Sequence, residues 1–300
     1  NAAIGFNALG TNTTGSYNVA LGHNVMSMNT TGYRNTAIGY GAMTQSTTGF
    51  NNTALGYNAV NNNRDGEYNV GIGSDAFGNN LSGSKNIAIG SFALDNSENE
   101  SENIAIGYNA ATANTTGSSI LALGFESLAN NTTGDLNTGI GYQSLLLNTT
   151  GNNNTAVGYK ALKANTTGDR NTAFGLESLT SNTTGGYNNS FGYGALYSNT
   201  TGAQNTAFGY QASFSNTTGY DNTAVGLQAM FQNTTGIKNT GIGLQALQGN
   251  TTGDFNTGIG YRALYSATTA DQNTAVGYQT MLNTTTGHDN NAFGFASLSA

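Results

Sequence analysis

The 300-residue sequence predicts an all-β fold, a parallel β-solenoid (β-roll) of about 17–18 coils with 17 residues in each coil. The first observation is a glycine that recurs every seventeen residues, without a miss, from Gly5 to Gly294. The second is another glycine series in the same phase, interrupted only by Glu100 and Ala270. The third is an apolar residue directly before every glycine of the first series. A fixed period in this range is the signature of stacked repeats.

Each repeat begins with an asparagine, and we number its positions 1 to 17 from that residue. The segment Asn137–Asn153, which reads NTGIGYQSLLLNTTGNN, is one complete copy. Seventeen complete copies and a partial eighteenth fit this frame without an insertion, and only Ile120 replaces the first asparagine. A repeat array grows in one dimension. We therefore expect one domain over residues 1–300, with a drifted section at about 61–102.

The first half of each repeat predicts a strand of about five residues. Positions 2, 4 and 6 would share one side of this strand, and positions 3 and 5 the other. Position 4 is always apolar and is expected in the core, so Ile140→Asp is expected to bury an unpaired charge. Positions 3 and 5 are small and are expected to be packed, inside a thin roll or against a partner chain.

The second half predicts a short strand near positions 8 to 11 and two turns. Asn-Thr-Thr-Gly at positions 12 to 15 is typical of a turn in which glycine takes a positive φ, and Asn and Thr side chains satisfy the backbone. Stacked asparagines are expected to bond in ladders. The unbroken position-5 column is expected to act as a structural ladder: Gly5, Gly22, Gly39, Gly56, Gly73, Gly90, Gly107, Gly124, Gly141, Gly158, Gly175, Gly192, Gly209, Gly226, Gly243, Gly260, Gly277 and Gly294.

Composition excludes several classes of function. The net charge is −7 and only eight Lys and Arg are scattered along the chain, which argues against nucleic-acid binding. There is no Cys for a disulfide or a thiolate metal site. No apolar run approaches the length of a membrane span. Since the array is already in register at Asn1 and stops within a copy, we expect a piece of a longer or processed chain.

No catalytic arrangement is visible, and we expect neither an enzyme nor a cofactor. His23 and His288 lie near opposite ends of the sequence, and the many Ser and Thr have no histidine to activate them. An acidic loop in the drifted section leaves two interpretations open: a calcium or partner site, or a solvated turn that has diverged. Its residues are Asp95, Glu98, Glu100 and Glu102.

Position 6 is rich in tyrosine and also leaves two interpretations open. The rings could form an outward stripe that contacts carbohydrate, or they could pack as core. The tyrosines of this column that we consider as ligand-facing are Tyr40, Tyr57, Tyr108, Tyr142, Tyr159, Tyr210, Tyr261 and Tyr278.

The Asn-Thr-Thr segments are also N-glycosylation sequons. They would be modified on a eukaryotic secretory route, whereas in a bacterium or phage they would serve only the turn. The asparagines concerned are Asn12, Asn29, Asn114, Asn131, Asn148, Asn165, Asn182, Asn199, Asn216, Asn233 and Asn250.

The segments Asn35–Gly39 (NTAIG), Asn103–Gly107 (NIAIG) and Asn273–Gly277 (NTAVG) resemble the head repeats of trimeric autotransporter adhesins of the YadA type. The repeat is also similar to Asn-Thr-Ala-x-Gly-Tyr repeats of phage-type tail fibres. The resemblance covers essentially the whole chain. It implies a parallel β-roll, three identical chains around one axis, and a role in surface attachment.

The sequence therefore predicts a structural and adhesive segment of an extracellular fibre, either an adhesin head or a tail-fibre shaft, on a cell surface or a virion. Its expected partners are copies of itself, with a trimer favoured, and a surface receptor or glycan. The alternative is an ice-binding solenoid that uses Thr ladders at positions 2, 13 and 14. Against it, Thr at position 2 alternates with Val and Ile, as a core-facing residue would.

Overall fold

The computed structural model describes residues 1–299, and in this range it contains eighteen three-residue strands and no helix. Each strand occupies positions 2 to 4 of one coil. The predicted length of about five residues was too long. The strand ends where the glycine of position 5 adopts a φ between 109° and 142°, which is not a strand conformation for other residues.

The first unit, Asn1–Asn153, comprises coils 1 to 9. Neighbouring strands are parallel and shifted by one repeat, as in the pair Thr36 and Thr53. The strands are β1 (Ala2–Ile4), β2 (Val19–Leu21), β3 (Thr36–Ile38), β4 (Thr53–Leu55), β5 (Val70–Ile72), β6 (Ile87–Ile89), β7 (Ile104–Ile106), β8 (Leu121–Leu123) and β9 (Thr138–Ile140).

The second unit, Asn154–Ala300, has the same architecture, with parallel pairs such as Thr240 and Thr257. Each unit is thus a parallel β-solenoid, which confirms the predicted coil. The strands are β10 (Thr155–Val157), β11 (Thr172–Phe174), β12 (Asn189–Phe191), β13 (Thr206–Phe208), β14 (Thr223–Val225), β15 (Thr240–Ile242), β16 (Thr257–Ile259), β17 (Thr274–Val276) and β18 (Asn291–Phe293).

The interior of each unit is narrow and is filled from positions 3, 8 and 9. In coil 3, Ala37, Ala42 and Met43 are completely buried. The second strand predicted near positions 8 to 11 does not form. Positions 7 and 9 adopt left-handed backbone conformations, as at Asn58 and Val60, with φ near 50°. Two such residues flanking position 8 turn the chain sharply and prevent an extended run.

Hydrogen bonds to the neighbouring coils compensate for this unusual backbone. The amide of Asn24 at position 7 donates to the carbonyl of Phe6 in the preceding coil at 2.9 Å. The amide of Met26 at position 9 donates to Ala42 of the following coil at 3.0 Å. The turns are therefore bonded to their neighbours as regularly as the strands are.

Two rows of buried asparagine, at positions 1 and 12, converge on the carbonyl of position 15. The Nδ2 atoms of Asn18 and Asn29 donate to the carbonyl of Gly32 at 2.8 and 3.2 Å. The Oδ1 of Asn18 accepts from the backbone amide of Asn35, and the Oδ1 of Asn12 accepts from the Nδ2 of Asn29. The predicted asparagine ladders are confirmed in these two rows.

The two glycine series serve different purposes. At position 5 the positive φ excludes other residues, and a Cβ on Gly56 would lie 2.4 Å from the carbonyl oxygen of Gly73. The glycine of Asn-Thr-Thr-Gly has no positive φ, so that expectation was wrong. Glycine is required there for steric reasons, because a Cβ on Gly32 would lie 2.3 Å from the Oδ1 of Asn29.

Candidate functional site

The outward side chains of positions 2 and 4, which we call the strand face, include an apolar residue at position 4 of every coil in each unit. The expectation that position 4 lies in the core was wrong. Leu55 is 46% exposed and Ile140 is half-buried, whereas Ala54 between the two outward rows of its strand is 1% exposed. An aspartate at position 140 would therefore not be buried. The interior accepts only small residues at position 3, and the large residues on either side point out.

The strand face carries no charge. Position 2 holds Thr, Val, Ile, Leu, Asn or Ala, and position 4 holds only Ile, Leu, Val or Phe. Thr36 and Thr138 at position 2 are half-buried and lie on the outer side with position 4. The argument that Thr at position 2 faces the core is therefore also wrong.

The aromatic column at position 6 lies beside the strand face, and its rings are partly exposed rather than core. Tyr40 is 51% exposed, Tyr261 is half-buried, and the other tyrosines named above are exposed to a similar degree as Tyr40. His23 belongs to this column and stacks between Phe6 and Tyr40 with both centroid distances at 5.0 Å.

The rings of this column stack on one another. Tyr193 and Tyr210 have centroids 5.2 Å apart and an interplanar angle of 11°, and Tyr261 and Tyr278 are 5.0 Å apart at 21°. Neighbouring rings therefore cover much of each face. The column exposes ring edges and phenol hydroxyls, and the open ring face that sugar stacking needs is largely occupied.

The sequon asparagines belong to the buried row at position 12. All of them except the half-buried Asn12 are completely buried. The Nδ2 of Asn199 donates to Asn182 at 2.8 Å and to the carbonyl of Gly202 at 2.9 Å. Since Nδ2 is the atom that would carry a glycan, this packing favours a turn role and argues against glycosylation of the folded chain.

A row of threonines at position 14 is exposed, unlike the asparagines beside it. In eight consecutive coils of the second unit this position is Thr and exposed: Thr167, Thr184, Thr201, Thr218, Thr235, Thr252, Thr269 and Thr286. Position 13 differs, because Thr183 donates its hydroxyl to the carbonyl of Thr200 at 3.0 Å. The second unit thus displays an ordered outward row of Thr hydroxyls and methyls.

The structure does not bring the four acidic residues of the drifted section to one point. The Oε2 of Glu100 accepts from the amides of Glu98 and Asn99, each at 2.9 Å. Glu102 pairs with Lys85 at 3.3 Å on the surface. Within residues 1–299 no group of three or more acidic or histidine side chains is placed to hold a metal ion. Of the two interpretations of this loop, the calcium site has no support in this geometry.

Asp95, in the same section, has a carboxyl whose pKa is shifted. Burial raises the pKa of its carboxyl above the ordinary value of 3.8, and the nearby Asp75 raises it further. A carboxyl that is costly to ionise is a poor cation ligand unless other carboxylates share the cation.

An open groove of about 400 Å³ crosses the drifted section between positions 11 and 13. Asn62 donates to Asn79 at 3.0 Å along one wall of this groove. The other wall carries Leu81 and Glu98, which stand where most coils have a hydrogen-bonded Thr. The groove is lined by Asn62, Asn79, Leu81, Asn96, Glu98, Ala113 and Thr115.

The sequence did not predict that the strand face points outward. It also did not predict that Thr at position 14 is exposed while, in most coils, its neighbours at positions 12 and 13 are buried or half-buried. A usable signal existed for the first, because small residues at both positions 3 and 8 predict an interior too narrow for the large residues of position 4. No helix in the described range 1–299 is long and apolar enough to cross a membrane.

Comparisons with known proteins returned no matching family model, no similar curated protein and no similar solved structure.

Proposed function

We propose that the chain is a structural and adhesive segment of an extracellular surface fibre, in which copies associate through the strand face. The observation that carries this proposal is the uncharged strand face, which presents an exposed or half-buried apolar residue at position 4 of every coil. Soluble monomers rarely expose contiguous apolar patches of more than a few hundred Å², and larger patches mark interaction sites. Three copies around one axis is the assembly that the sequence resemblance favours.

A second copy is the partner best matched to this face. Successive strands in a parallel sheet are separated by about 4.8 Å, and an identical chain repeats its apolar rows at that same spacing. Every rung of one copy then meets a rung of the other. The lack of charge on the face removes electrostatic repulsion between the copies.

Light scattering coupled to size exclusion tests the assembly. The expected mass is a multiple of 30.8 kDa, with three copies favoured. Phe208→Asp places a charge on the strand face and should reduce this mass. Thr218→Asp places the same charge on an exposed residue of the same coil, away from that face, and should leave it unchanged. A single-chain mass for the unaltered protein at all concentrations would refute the proposal.

Attachment to a glycan receptor is the adhesive part of the proposal. The phenol groups of position 6 and the amides of position 7, such as Tyr210 and Gln211, can hydrogen-bond to sugar hydroxyls. Because the ring faces are stacked, hydrogen bonding at the edges should dominate. Tyr210→Phe should then weaken binding on a glycan array, whereas Tyr210→Leu should weaken it no further if the ring face contributes nothing.

Ice binding is a second candidate, favoured by the eight consecutive exposed threonines at position 14 of the second unit. A regular row of Thr hydroxyls and methyls is the kind of surface that can match an ice lattice. Thermal hysteresis measures this activity directly. Thr218→Asp should abolish the hysteresis while leaving the assembly intact. Phe208→Asp should leave the hysteresis unchanged while reducing the assembly. The same pair of variants therefore separates the two candidates.

A further inference from the structure

Three consecutive phenylalanines interrupt the aliphatic row at position 4 of the second unit, and a fourth, Phe293, ends that row. Phe174, Phe191 and Phe208 lie in the consecutive strands β11, β12 and β13. Their ring centroids are 6.2 Å and 5.7 Å apart in sequence order. Phe174 is 49% exposed and Phe208 is 58% exposed, so the cluster stands out from the strand face.

The position-6 side chains of the same coils extend this cluster sideways. Leu176, Tyr193 and Tyr210 are all exposed, and Tyr193 stacks on Tyr210 at 5.2 Å. A fully buried aromatic residue removes roughly 150–250 Å² from water. Since five of the six side chains are 43–58% exposed and Phe191 is half-buried, three coils offer on the order of 500 Å² of the roughly 800 Å² that each partner of a standard interface buries.

From β14 to β17 the row does not distinguish one coil from the next, and Phe293 follows only in the last strand, β18. Val225, Ile242, Ile259 and Val276 follow in β14 to β17, and Val157 precedes in β10. Two copies displaced by one repeat would place Val opposite Ile with little change in contact. Association through the aliphatic part of the row therefore leaves the axial alignment of the copies undetermined.

We propose that Phe174, Phe191 and Phe208 set the axial register in which copies of this chain associate. The inference rests on the proposed self-association. Aligned copies bring the three rings of one chain against those of the others. A displacement by one coil places a ring against a smaller aliphatic residue at each end of the cluster and loses contact area there.

The test relocates the cluster by one coil. Phe174→Val together with Val225→Phe moves it from coils 11–13 to coils 12–14 and conserves composition. The chain has no Cys, so single reporters at Thr240→Cys and Thr257→Cys, one coil apart on the same outer row, report the alignment through a short bifunctional maleimide. Unaltered and relocated chains carry different affinity tags and are refolded together. Mixed assemblies are then isolated by purification on both tags in turn.

The expected result is a one-coil shift in the mixed assemblies. The thiol at position 240 of the original chain should cross-link to the thiol at position 257 of the relocated chain at least tenfold more than to a thiol at position 240. As the matched control, Val225→Ile with Ile242→Val leaves the cluster in place and should cross-link at equal positions. Refusal of relocated chains to mix, when control chains mix freely, would also support the proposal.

Two results would overturn it, and they are distinguishable. If the relocated chain assembles but still cross-links at equal positions, the phenylalanines do not set the register, while the self-association stands. If light scattering shows only single chains before any reporter is introduced, the proposed assembly and the register both fail.

Discussion

Ala270 occupies a glycine position because Ala267, three residues earlier, lacks the side-chain amide that fills this space in other coils. Both alanines are completely buried. In the preceding coil, a Cβ on Gly253 would lie 2.5 Å from the Oδ1 of Asn250. The other exception to glycine, Glu100, likewise follows a smaller residue, Ser97, at the asparagine position. Positions 12 and 15 are therefore coupled by packing.

This coupling predicts a non-additive pair of substitutions at Asn216 and Gly219. A Cβ on Gly219 would lie 2.4 Å from the Oδ1 of Asn216 and the same distance from the carbonyl oxygen of Gly236. We expect Gly219→Ala to cost about 2–3 kcal/mol through overpacking. Asn216→Ala should cost about 2 kcal/mol because it leaves buried partners unpaired.

The double variant should be more stable than the sum of the two losses predicts, by about 1 kcal/mol or more. Denaturant unfolding of the parent, both single variants and the double variant gives this coupling energy. Thr218→Ala, at the exposed position between them, is the control and should change stability little. Strictly additive losses would mean that the two positions do not share space.

Ser46→Asn should stabilise the chain by joining two interrupted parts of the position-12 row. The Oδ1 of Asn29 and the Oγ of Ser46 are buried without a hydrogen-bond partner. An asparagine at position 46 would donate to Asn29 and accept from Asn63, as Asn199 does between its neighbours. The expected gain is about 1 kcal/mol or more. Ser46→Ala removes only the unpaired hydroxyl, and the prediction fails if it stabilises the chain as much as Ser46→Asn.

Neighbouring residues of strand β4 should respond oppositely to the same charge. Ala54→Asp buries a carboxylate without a partner in the interior and should cost at least about 3 kcal/mol. Leu55→Asp places it on the exposed strand face and should change the stability of the single chain by no more than about 1 kcal/mol. Circular dichroism melts at concentrations below association compare the two. Equal losses would contradict the outward direction of position 4.

Asp95 predicts a pH dependence whose sign is fixed by its raised pKa. The folded chain holds this proton more tightly than the unfolded chain, so stability decreases as the pH rises from 3.8 through the raised pKa. The penalty is fully present above the raised pKa. Asp95→Asn should therefore increase stability at pH 7 and remove this part of the profile between pH 3 and 7.

Asp75→Asn should produce a smaller change in the same direction, because Asp75 is the second cause of the shift after burial. Denaturant unfolding as a function of pH measures both effects. A profile for Asp95→Asn that parallels the unaltered protein would show that the carboxyl is not destabilising.

The coil was predictable from the sequence because its backbone requirements repeat at a fixed interval. Gly5 and its seventeen equivalents share a conformation that other residues do not adopt, and Asn18 and Asn35 reveal stacked amides by recurring in phase. Which side of each strand faces the interior was harder to predict. An alternation of large and small residues defines two sides without saying which is buried, and Leu55 is apolar enough for either side.

The backbone geometry of the turns was the hardest part to predict from the sequence. Val60 carries a β-branched side chain, which favours a strand, yet its φ is 54°. Stacking on the next coil holds it there, through the amide of Val60 bonded to the carbonyl of Ala76 at 2.9 Å. A preference that depends on the neighbouring coil cannot be read from the local residues.

Where asparagines follow one another at position 12, the side-chain amide of the later one donates to the preceding coil, as Asn216 does to Asn199 and Asn233 does to Asn216. One repeat thus brings one donor and one acceptor to the row. Recombination that duplicates or removes whole repeats inside a unit leaves the balance of partners unchanged. The length of the array can therefore change in steps of seventeen residues. An insertion or deletion of part of a repeat would leave buried amides without hydrogen-bond partners and would be selected against.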